Sequence, residues 1–385
     1  MQILFVVNDL GYFRAHRQML AEHFASKGHD VVVASGACTE EAKRAWPDNI
    51  ALVELPIDKH RLNLLADLQL LWALLRIIGT RKPHIVHAIT IKPILFSGLA
   101  VSLRRLFGGA EKLVWTFPGL GKVFEPCDRA MATVRKVIVT MALRLSAKVS
   151  GAHATFENAC DRKILIDYGI VPATRATVVE GTGLDTDVFK PEAKTSINGL
   201  TFLMATRLIE KKGVDVFLET ARDAKSKGLD AKFVLAGLFE ETDPGSMDPS
   251  TIQKAHEDGA ITFLGAVDQS EMPRIINSAD VVCLPTRLQE GFPRALLEAA
   301  ACGVAMIASR QSAIEKVVVD GETGWLLDPP DSSALIAAVG EALNNPDLVS
   351  EYGRAARALI EALPVSNAEV ADAFAEVYGL RDDGH

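Results

Sequence analysis

The sequence predicts an α/β protein built from two consecutive doubly wound domains. Three observations support this prediction. Short runs of Val, Ile and Leu alternate along the chain with longer amphipathic segments, as in parallel sheets that are covered by helices on both faces. A polar stretch at residues 191–199 interrupts the pattern once, and the pattern then begins afresh. The length of 385 residues suits two domains.

The first series of elements starts with a buried strand at residues 3–7 and a loop at residues 8–11. A helix at residues 13–26 follows and ends at Lys27-Gly28. Further strands are predicted at residues 31–33, 50–55, 84–87, 113–116 and 176–179, and further helices at residues 63–78, 94–107 and 130–147. Because the strands are continuously apolar and separated by helices, we expect them to form one parallel sheet.

The second series follows the polar stretch, which we interpret as a linker. Its strands are predicted at residues 200–205, 232–236, 261–263, 281–284 and 304–307, and its helices at residues 214–227, 269–277, 294–302 and 332–344. One more amphipathic helix is predicted at residues 365–378. The predicted domains are therefore residues 1–190 and 191–364, with residues 365–385 packing back on the first domain.

Two such units are Rossmann-like domains, and ligands of these sheets bind beyond the carboxyl ends of the strands. We therefore expect the two domains to face each other across a cleft that contains the binding site.

Composition excludes several classes of protein. Hydrophobic residues make up 49% of the chain and charged residues 23%, which is typical of a globular protein with a sizeable core. The most apolar stretch, residues 65–79, contains Asp67 and Arg76 and is too short to span a bilayer. The first residues lack the basic region of a signal peptide. Five scattered cysteines favour neither a disulfide framework nor a zinc site, so we expect a cytoplasmic protein.

Charge is distributed unevenly between the two halves of the chain. Residues 1–190 carry 24 Lys and Arg against 18 Asp and Glu, whereas residues 191–385 carry 17 against 31. The first half is thus basic and the second acidic, within an overall net charge of -8. This asymmetry suggests that the first half faces an anionic partner, although chance placement of charges on solvated helix faces explains it equally well.

The segment from Glu290 to Glu298 is the most informative part of the sequence for function. It follows the strand at residues 281–284, and Pro293 suits the first turn of a helix. The backbone amides of residues 291–295 would then form an anion site, which Gly291 would let a ligand approach closely. The carboxylates of Glu290 and Glu298 can accept hydrogen bonds from neutral hydroxyl groups, such as a ribose diol or a hexose.

Arg207 and Lys212 provide the cations that a phosphorylated ligand needs. Both follow directly after the strand at residues 200–205, so they belong to the same sheet edge as Glu290. Arginine can bind phosphate oxygens in a bidentate way, and lysine adds a point charge. The four side chains together predict a ligand that carries both phosphate groups and free hydroxyl groups.

The ordered set of motifs resembles the retaining family-4 glycosyltransferases with the GT-B architecture. The resemblance is carried by the E-x7-E pair Glu290 and Glu298, the R-x4-K-G element of Arg207, Lys212 and Gly213, the link at residues 178–191, His87 with Lys92-Pro93, and Gly119-Leu120-Gly121. The last two elements are similar to the branch that builds capsule, O-antigen and related surface glycans. The resemblance covers nearly the whole chain.

This resemblance implies roles for individual residues in the second domain. Arg207 and Lys212 would bind the donor diphosphate and stabilise the charge of the leaving group. Glu298 would hold the ribose hydroxyls. Glu290, with the backbone of Gly291, Phe292 and Pro293, would hold the transferred sugar.

The resemblance also implies roles in the first domain. Gly11 would let the first loop approach the diphosphate. His87 and Lys92 would lie near the acceptor or the reacting bond, and Gly119 and Gly121 would shape the acceptor side. His16 follows the first loop, so it could reach the cleft and contact the acceptor, although a role on the helix surface explains it equally well. The family often has a second histidine where this chain has Ile89, and Phe117-Pro118 replaces a polar pair before Gly119, so the acceptor contacts depart from the family pattern.

The activity implied by the resemblance is the transfer of a hexose or N-acetylhexosamine, with retention of configuration, from a nucleotide-diphosphate sugar to a lipid-linked glycan. Uridine is the preferred base of the donor, and guanosine is the alternative. The implied partners are the nucleotide-sugar, a lipid-diphosphate-linked acceptor and the inner face of the cytoplasmic membrane, with no nucleic acid. No cofactor and no metal ion is expected.

The predicted helix after residue 128 allows two interpretations. Arg135, Lys136, Arg144 and Lys148 interleave in it with apolar side chains, among them Val134, Ile138, Met141 and Leu145. An ordinary amphipathic helix would bury these apolar side chains in the core. A helix that contacts anionic lipid and a lipid-diphosphate acceptor would expose them.

Other functions remain open at this stage. A UDP-sugar epimerase of the same double architecture would use the same donor site without an acceptor. A non-catalytic protein could bind the sugar nucleotide without turnover. A dinucleotide oxidoreductase is disfavoured because the loop after the first strand contains only Gly11 instead of the G-x-G-x-x-G pattern.

Overall fold

The computed structural model describes residues 1–44, 46–57, 64–124, 130–181, 183–193, 199–240 and 243–380. These residues form two compact units. The first unit contains residues 1–183 together with the helix after residue 366, and the second unit is Leu184–Ser366.

The first unit is built on a seven-stranded parallel sheet with the strand order β3-β2-β1-β4-β5-β6-β7. Its strands are β1 (Gln2–Val7), β2 (Asp30–Ser35), β3 (Ala51–Glu54), β4 (Ile85–Ile89), β5 (Lys112–Phe117), β6 (His153–Phe156) and β7 (Ala176–Val178). Its helices are α1 (Leu10–His16), α2 (Gln18–Ser26), α3 (Glu40–Arg44), α4 (Leu64–Arg81), α5 (Ile91–Arg105), α6 (Gly121–Phe124), α7 (Ala130–Ser150) and α8 (Ala159–Asp167).

The second unit contains a six-stranded parallel sheet with the order β10-β9-β8-β11-β12-β13. Its strands are β8 (Leu200–Ala205), β9 (Ala231–Ala236), β10 (Thr262–Gly265), β11 (Val281–Leu284), β12 (Ala305–Ser309) and β13 (Gly324–Leu327). Its helices are α9 (Val214–Ser226), α10 (Pro249–Glu257), α11 (Met272–Asn277), α12 (Arg294–Ala301), α13 (Ser332–Asn344) and α14 (Pro346–Ala362). The predicted class of two doubly wound α/β units is thereby confirmed.

Both sheets are buried on both faces, as their continuously apolar strands require. In β4, Val86 and Ala88 belong to the hydrophobic core on one face of the sheet, whereas Ile85 and Ile89 belong to the core on the other face. Burial of each large aliphatic side chain stabilises the fold by roughly 1.5–3 kcal/mol. Each unit therefore has a core on either side of its sheet.

The last helix, α15 (Asn367–Tyr378), belongs to the first unit and packs against α2. Its Val370, Phe374 and Tyr378 side chains are buried in the core that also contains Phe5 of β1. The chain thus leaves the first unit after Gly183 and returns to it after completing the second unit.

A buried chain of hydrogen bonds connects α15 to three strands of the first sheet. The Tyr378 hydroxyl lies 2.5 Å from His87 Nδ1, and His87 Nε2 lies 2.5 Å from Thr116 Oγ1. Thr116 Oγ1 is 2.7 Å from Thr155 Oγ1, and Thr155 donates to the Trp115 carbonyl oxygen.

The directions of these bonds follow from the last one. Because Thr155 uses its only proton on the carbonyl, Thr116 must donate to Thr155 and therefore accepts from His87 Nε2–H. Tyr378 then donates to Nδ1. Burial, with a smaller contribution from Arg17, holds the pKa of His87 well below its usual range, which agrees with this neutral ring.

The boundary between the units differs from the predicted one. The division falls between Gly183 and Leu184, whereas the prediction placed it after residue 190. The reason is that Leu184 and Phe189 are buried in the core of the second unit, so the chain joins that unit before the polar stretch begins. Residues 194–198 of the predicted linker lie outside the described residues.

Some local elements also differ from expectation. The predicted helix at residues 13–26 is two helices, because Arg17 leaves the helical conformation at φ -142°. Its buried guanidinium contacts the Glu157 carboxylate at 2.6 Å. Strands β6 and β13 were not recognised, since His-Ala-Thr-Phe and Gly-Trp-Leu-Leu are short and lack a Val/Ile run.

Replacing Tyr378 by Phe is expected to lower the free energy of unfolding of the first unit by about 1–3 kcal/mol, because His87 Nδ1 would be buried without a donor. Tyr352→Phe is the matched control. Tyr352 is equally buried, in α14, and none of the described residues hydrogen-bonds to its hydroxyl. Urea unfolding of both variants checks the prediction, which fails if the two lose the same stability.

Candidate active site

The predicted donor residues follow strands of the second sheet that are neighbours. Arg207 and Lys212 follow β8, and Glu290 follows β11, which pairs with β8. The connections from β8 lead outward to β9 and β10, whereas β11 starts the other half of the sheet. The carboxyl ends of β8 and β11 therefore flank the point where the strand order reverses, which is where doubly wound sheets bind ligands.

A close backbone contact brings the two loops together. Gly213 has φ +82°, and a Cβ atom at this position would lie 2.1 Å from the Pro285 carbonyl oxygen. Only glycine permits both the conformation and the approach. The Lys211 carbonyl accepts the amide of Arg287 at 2.7 Å, which ties the loops together next to the glycine.

This contact places Lys212 against Glu290. Lys212 Nζ donates to both carboxylate oxygens of Glu290, at 2.7 Å and 2.9 Å, and both side chains are largely buried. The Thr286 hydroxyl donates to Oε1 of the same carboxylate at 2.8 Å. The Glu290 amide donates to Gln311 Oε1 at 3.0 Å. These contacts hold the Glu290 carboxylate in a defined orientation.

Glu298 is held separately within α12. Its side chain is buried, and Oε1 accepts hydrogen bonds from Arg294 Nε at 2.6 Å and Gln269 Nε2 at 3.0 Å. Arg294 lies one helical turn before Glu298, so the two side chains are on the same face of the helix. The second carboxylate oxygen can accept from a ligand hydroxyl.

Arg207 keeps a more open position than Lys212. Its Nη1 atom is 3.3 Å from Glu240 Oε2, and half of its side chain is exposed. Glu240 follows β9, so this pair lies at the same edge of the sheet as Lys212 and Glu290. An exposed pair of this kind contributes about 0–1 kcal/mol, so an entering phosphate can compete for the guanidinium at little cost.

The Gly-Phe-Pro segment connects the two glutamates. Pro293 is the residue before α12 and has φ -70°. The Phe292 side chain is buried in the core of the second unit. Only the backbone at Phe292 can therefore contact a ligand, whereas its side chain anchors the loop.

The structure does not support the predicted role of His87 at the reacting bond. The residue lies inside β4 and is completely buried, and its two nitrogens are occupied by Tyr378 and Thr116. The predicted strand ended at His87, whereas β4 continues to Ile89. Its neighbours Tyr378 and Phe374 come from α15, so His87 positions that helix and cannot reach an acceptor in this arrangement.

The other predicted residues of the first unit lie at or near the carboxyl edge of its sheet. Lys92 is in the first turn of α5, and its Nζ contacts Asp67 of α4 at 2.7 Å. Gly119 is exposed in the loop after β5, and Gly121 begins α6.

Gly11 and His16 belong to α1, which follows β1. Gly11 is next to the Asp9 carboxylate, which accepts the Tyr12 amide, and a phosphate there would meet a like charge. His16 packs its ring against Tyr12 with centroids 4.6 Å apart.

Several residues of the site were not predicted from the sequence. Thr286, Gln311 and Gln269 support the carboxylates, and Arg294 pairs with Glu298. Gln311 follows β12, so its position at the strand end was a signal that could have identified it. Among the described residues, no group of three or more His, Cys, Asp or Glu side chains is arranged to hold a metal ion.

Models of known protein families match both halves of the chain. Residues 14–181 match the family described as glycosyl transferase 4-like domain, and residues 187–359 match glycosyl transferases group 1. The two matches occur in the order of the two units and extend over most of the chain. The two halves of the chain therefore match, in order, models of the two domains of family-4-type glycosyl transferases.

Individual curated relatives match the chain over about half of its length. The chain is 30% identical over 201 residues to the amylovoran biosynthesis glycosyltransferase AmsK of Erwinia amylovora, covering 49% of this chain and 47% of the relative. It is 28% identical over 194 residues to a GDP-mannose-dependent phosphatidylinositol monomannoside mannosyltransferase of Mycolicibacterium smegmatis, covering 46% and 49%. The chain thus spans about half the length of these curated relatives.

Solved structures show the same fold over the whole chain. A glycosyltransferase from Rickettsia africae has a TM-score of 0.75 at 18% identity and covers 100% of this chain and 99% of its own. Anabaena HepE in complex with UDP-glucose has a TM-score of 0.73 at 16% identity and covers 98% and 99%. At these identities the likeness establishes the two-domain GT-B fold.

Replacing Gly213 by Ala is expected to weaken nucleotide-sugar binding by roughly tenfold, equivalent to about 1.4 kcal/mol, because the loop carrying Lys212 must move away from Pro285. Gly228→Ala is the matched control, since Gly228 also has a positive φ but no atom within 4 Å of its added Cβ. Calorimetric titration with nucleotide-sugars measures the difference. Equal affinities of the two variants would show that the close approach does not shape the site.

Proposed function

We propose that the protein is a retaining glycosyltransferase that moves a hexose or N-acetylhexosamine from a UDP-sugar to a lipid-linked glycan. The observation that carries the proposal is the contact between Lys212 and Glu290 at the point where the strand order of the second sheet reverses. A fixed ammonium next to a fixed carboxylate suits a ligand in which a phosphate adjoins sugar hydroxyls.

The proposed donor contacts follow from the hydrogen-bonding positions that the side chains of the site leave unused. An ammonium group has three protons, and Lys212 uses two on Glu290, so the third can be donated to a diphosphate oxygen. Arg207 adds a second, exposed cation. Glu290 accepts from hydroxyls of the transferred sugar, together with the backbone of Gly291 and Pro293, and Glu298 accepts from the ribose.

The proposed reaction is a front-face displacement. The bond between the anomeric carbon and the diphosphate oxygen breaks, and a bond from the acceptor oxygen forms on the same face of the sugar. The acceptor proton passes to the leaving phosphate. Lys212 and Arg207 stabilise the charge that develops on this phosphate, as preorganised cations do in other transfers. We propose that these side chains make a bound metal ion unnecessary.

Uridine is the proposed base of the donor. The fold is shared with Anabaena HepE, whose structure contains UDP-glucose. The mycobacterial relative is named as GDP-mannose-dependent, so a guanosine donor is the alternative.

A lipid-linked acceptor and synthesis of a surface glycan are proposed from the relatives and from the first unit. AmsK is named for amylovoran biosynthesis, and the mycobacterial enzyme acts on a phosphatidylinositol mannoside. Lys92, Gly119, Gly121 and His16 remain the proposed acceptor residues. No described helix combines the length and the apolar character needed to cross a bilayer. We therefore propose a peripheral position at the inner face of the cytoplasmic membrane.

Purified protein incubated with a panel of UDP- and GDP-sugars and with membrane lipid extract is expected to release UDP only when acceptor is present. Release should continue in EDTA, and the product should keep the anomeric configuration of the donor by NMR. Formation of an epimer from donor alone would indicate an isomerase instead. Binding of UDP without turnover under all conditions would leave a non-catalytic binding protein.

The variants Lys212→Ala and Glu298→Gln are each expected to lower transfer by roughly 100-fold or more, because each removes a fixed partner of the donor. The matched controls are Lys211→Ala and Glu219→Gln, whose side chains are exposed in the neighbouring turn and on α9. Circular dichroism verifies folding, and initial rates of UDP release measure the effect. Near-native rates in the first pair of variants contradict the site assignment.

A further inference from the structure

Three helices of the first unit form one layer over its sheet. Helices α4, α5 and α7 all contribute to the same core, through Leu74, Val101 and Leu143 respectively. α5 lies between the other two and contacts both. At Gly98 of α5 an added Cβ would lie 2.2 Å from Ser146 Oγ of α7, so these two helices approach each other unusually closely. The outward sides of the three helices therefore form one continuous surface, which we call the helical face.

The part of the helical face on α7 is apolar although it is turned outward. The side chains turned to the protein include Leu143 and Ala147 together with the polar Thr140, Ser146 and Ser150, and all of them are buried. The side chains turned outward are apolar at helical spacing and 51–63% exposed: Val134, Val137, Ile138, Met141 and Leu145. An ordinary amphipathic helix would bury them, so the interpretation that places these apolar side chains in the core is excluded. Asp128 and Arg129, at the predicted start of this helix, lie outside the described residues.

The apolar surface continues onto the other two helices. Leu65, Leu68 and Trp72 are exposed on α4, and Leu103, Leu106 and Phe107 at the end of α5. A pocket of about 250 Å³ lies between these helices and is lined by Leu75, Leu103, Arg104, Phe107 and Gly109. Of the sixteen large apolar side chains exposed in the described part of the chain, twelve belong to the helical face. Isolated exposed apolar residues are normal, but a concentration of this kind marks an interaction surface.

The charge on the three helices identifies the partner. They contain nine basic residues and a single acidic residue, Asp67, which is paired with Lys92. The basic side chains are those of Arg76, Arg81, Lys92, Arg104, Arg105, Arg135, Lys136, Arg144 and Lys148. A second copy of the chain would bring like charges together on this face. An anionic lipid surface offers opposite charge to the basic groups and hydrocarbon to the apolar ones.

We propose that the helical face docks onto the surface of a bilayer that contains anionic lipid, with anchors on all three helices. The inference deepens the proposed function, on which the need for a membrane rests, by naming the surface and its contacts. Trp72 is the anchor of α4, and its ring carries the Arg76 guanidinium 5.5 Å from its centroid, an arrangement that suits the boundary between headgroups and acyl chains. Phe107 is the anchor of α5. Val137 and its apolar neighbours are the anchor of α7.

Sedimentation with vesicles tests the proposal. The protein is expected to pellet with vesicles of phosphatidylcholine and phosphatidylglycerol, less in high salt, and little with phosphatidylcholine alone. Trp72→Glu, Phe107→Glu and Val137→Glu should each lower the ratio of bound to free protein by about tenfold, because a charge replaces an inserted apolar group.

The matched control is Val188→Glu in the second unit. Val188 is 51% exposed, as Val137 is, so the substitution makes the same chemical change outside the helical face. Binding of this variant should equal that of the unchanged protein. If Trp72→Glu and Phe107→Glu behave like Val188→Glu while Val137→Glu loses binding, the surface is α7 alone and the three-helix proposal is overturned.

Tryptophan fluorescence provides a second readout. Of the four tryptophans, Trp72 is the exposed one, whereas Trp115 and Trp325 are buried and Trp46 is partly buried. Anionic vesicles should therefore shift the emission to shorter wavelength, and Trp72→Phe should abolish that shift. An unchanged spectrum of the bound protein would place Trp72 outside the contact and overturn the proposal for α4.

Two further measurements separate this proposal from its alternatives. Light scattering after gel filtration should show a monomer; a dimer that Val137→Glu dissociates would assign the helical face to a second copy of the chain and overturn the proposal. Titration with UDP reports on the proposed function independently. If the unchanged protein binds UDP but not anionic vesicles, only the docking surface is refuted. If it binds the vesicles but not UDP, only the proposed function is refuted.

Discussion

The close approach of the backbone at Gly213 to the Pro285 carbonyl is the constraint on which the candidate site depends. It lets the loops after β8 and β11 touch where the strand order of the sheet reverses. Without this contact, the loop that carries Lys212 and the loop that carries Glu290 would lie further apart. With it, an ammonium and a carboxylate are held 2.7 Å apart before any ligand arrives. A site whose geometry is fixed in advance loses less conformational entropy on binding and in the reaction.

The pairing of Lys212 with Glu290 also explains how a site with two carboxylates can accept a diphosphate. Each carboxylate is already matched to a cation, Glu290 to Lys212 and Glu298 to Arg294. An entering phosphate therefore meets a nearly neutral cluster with the exposed Arg207 beside it. Removing one member of such a buried pair leaves an uncompensated charge, which costs about 3–5 kcal/mol.

The fold and the position of Lys212 and Glu290 at one edge of the second sheet could be predicted from the sequence, because both depend on short-range patterns. Buried parallel strands are continuous apolar runs, and residues that follow neighbouring strands meet at one edge. His87 could not be placed in this way. Phe374 and Tyr378 of α15 contact it, and Tyr378 lies 291 residues later in the chain, so no local pattern records that contact. The inward Ser and Thr side chains of α7 were equally unpredictable, since periodicity shows that a helix has two faces but not which one is buried.

The two units differ in how their charges would attract an anion. In the first unit the basic residues of α4, α5 and α7 cover one broad face, which suits an extended anionic surface whose field reaches about one Debye length, roughly 8 Å at physiological salt. The second half of the chain is acidic overall, so its long-range field opposes a diphosphate. Because that field is screened over the same distance, the affinity there must come from cations in direct contact. Lys212, largely buried between the two loops, is screened least, and it is therefore the side chain from which a bound diphosphate would gain most.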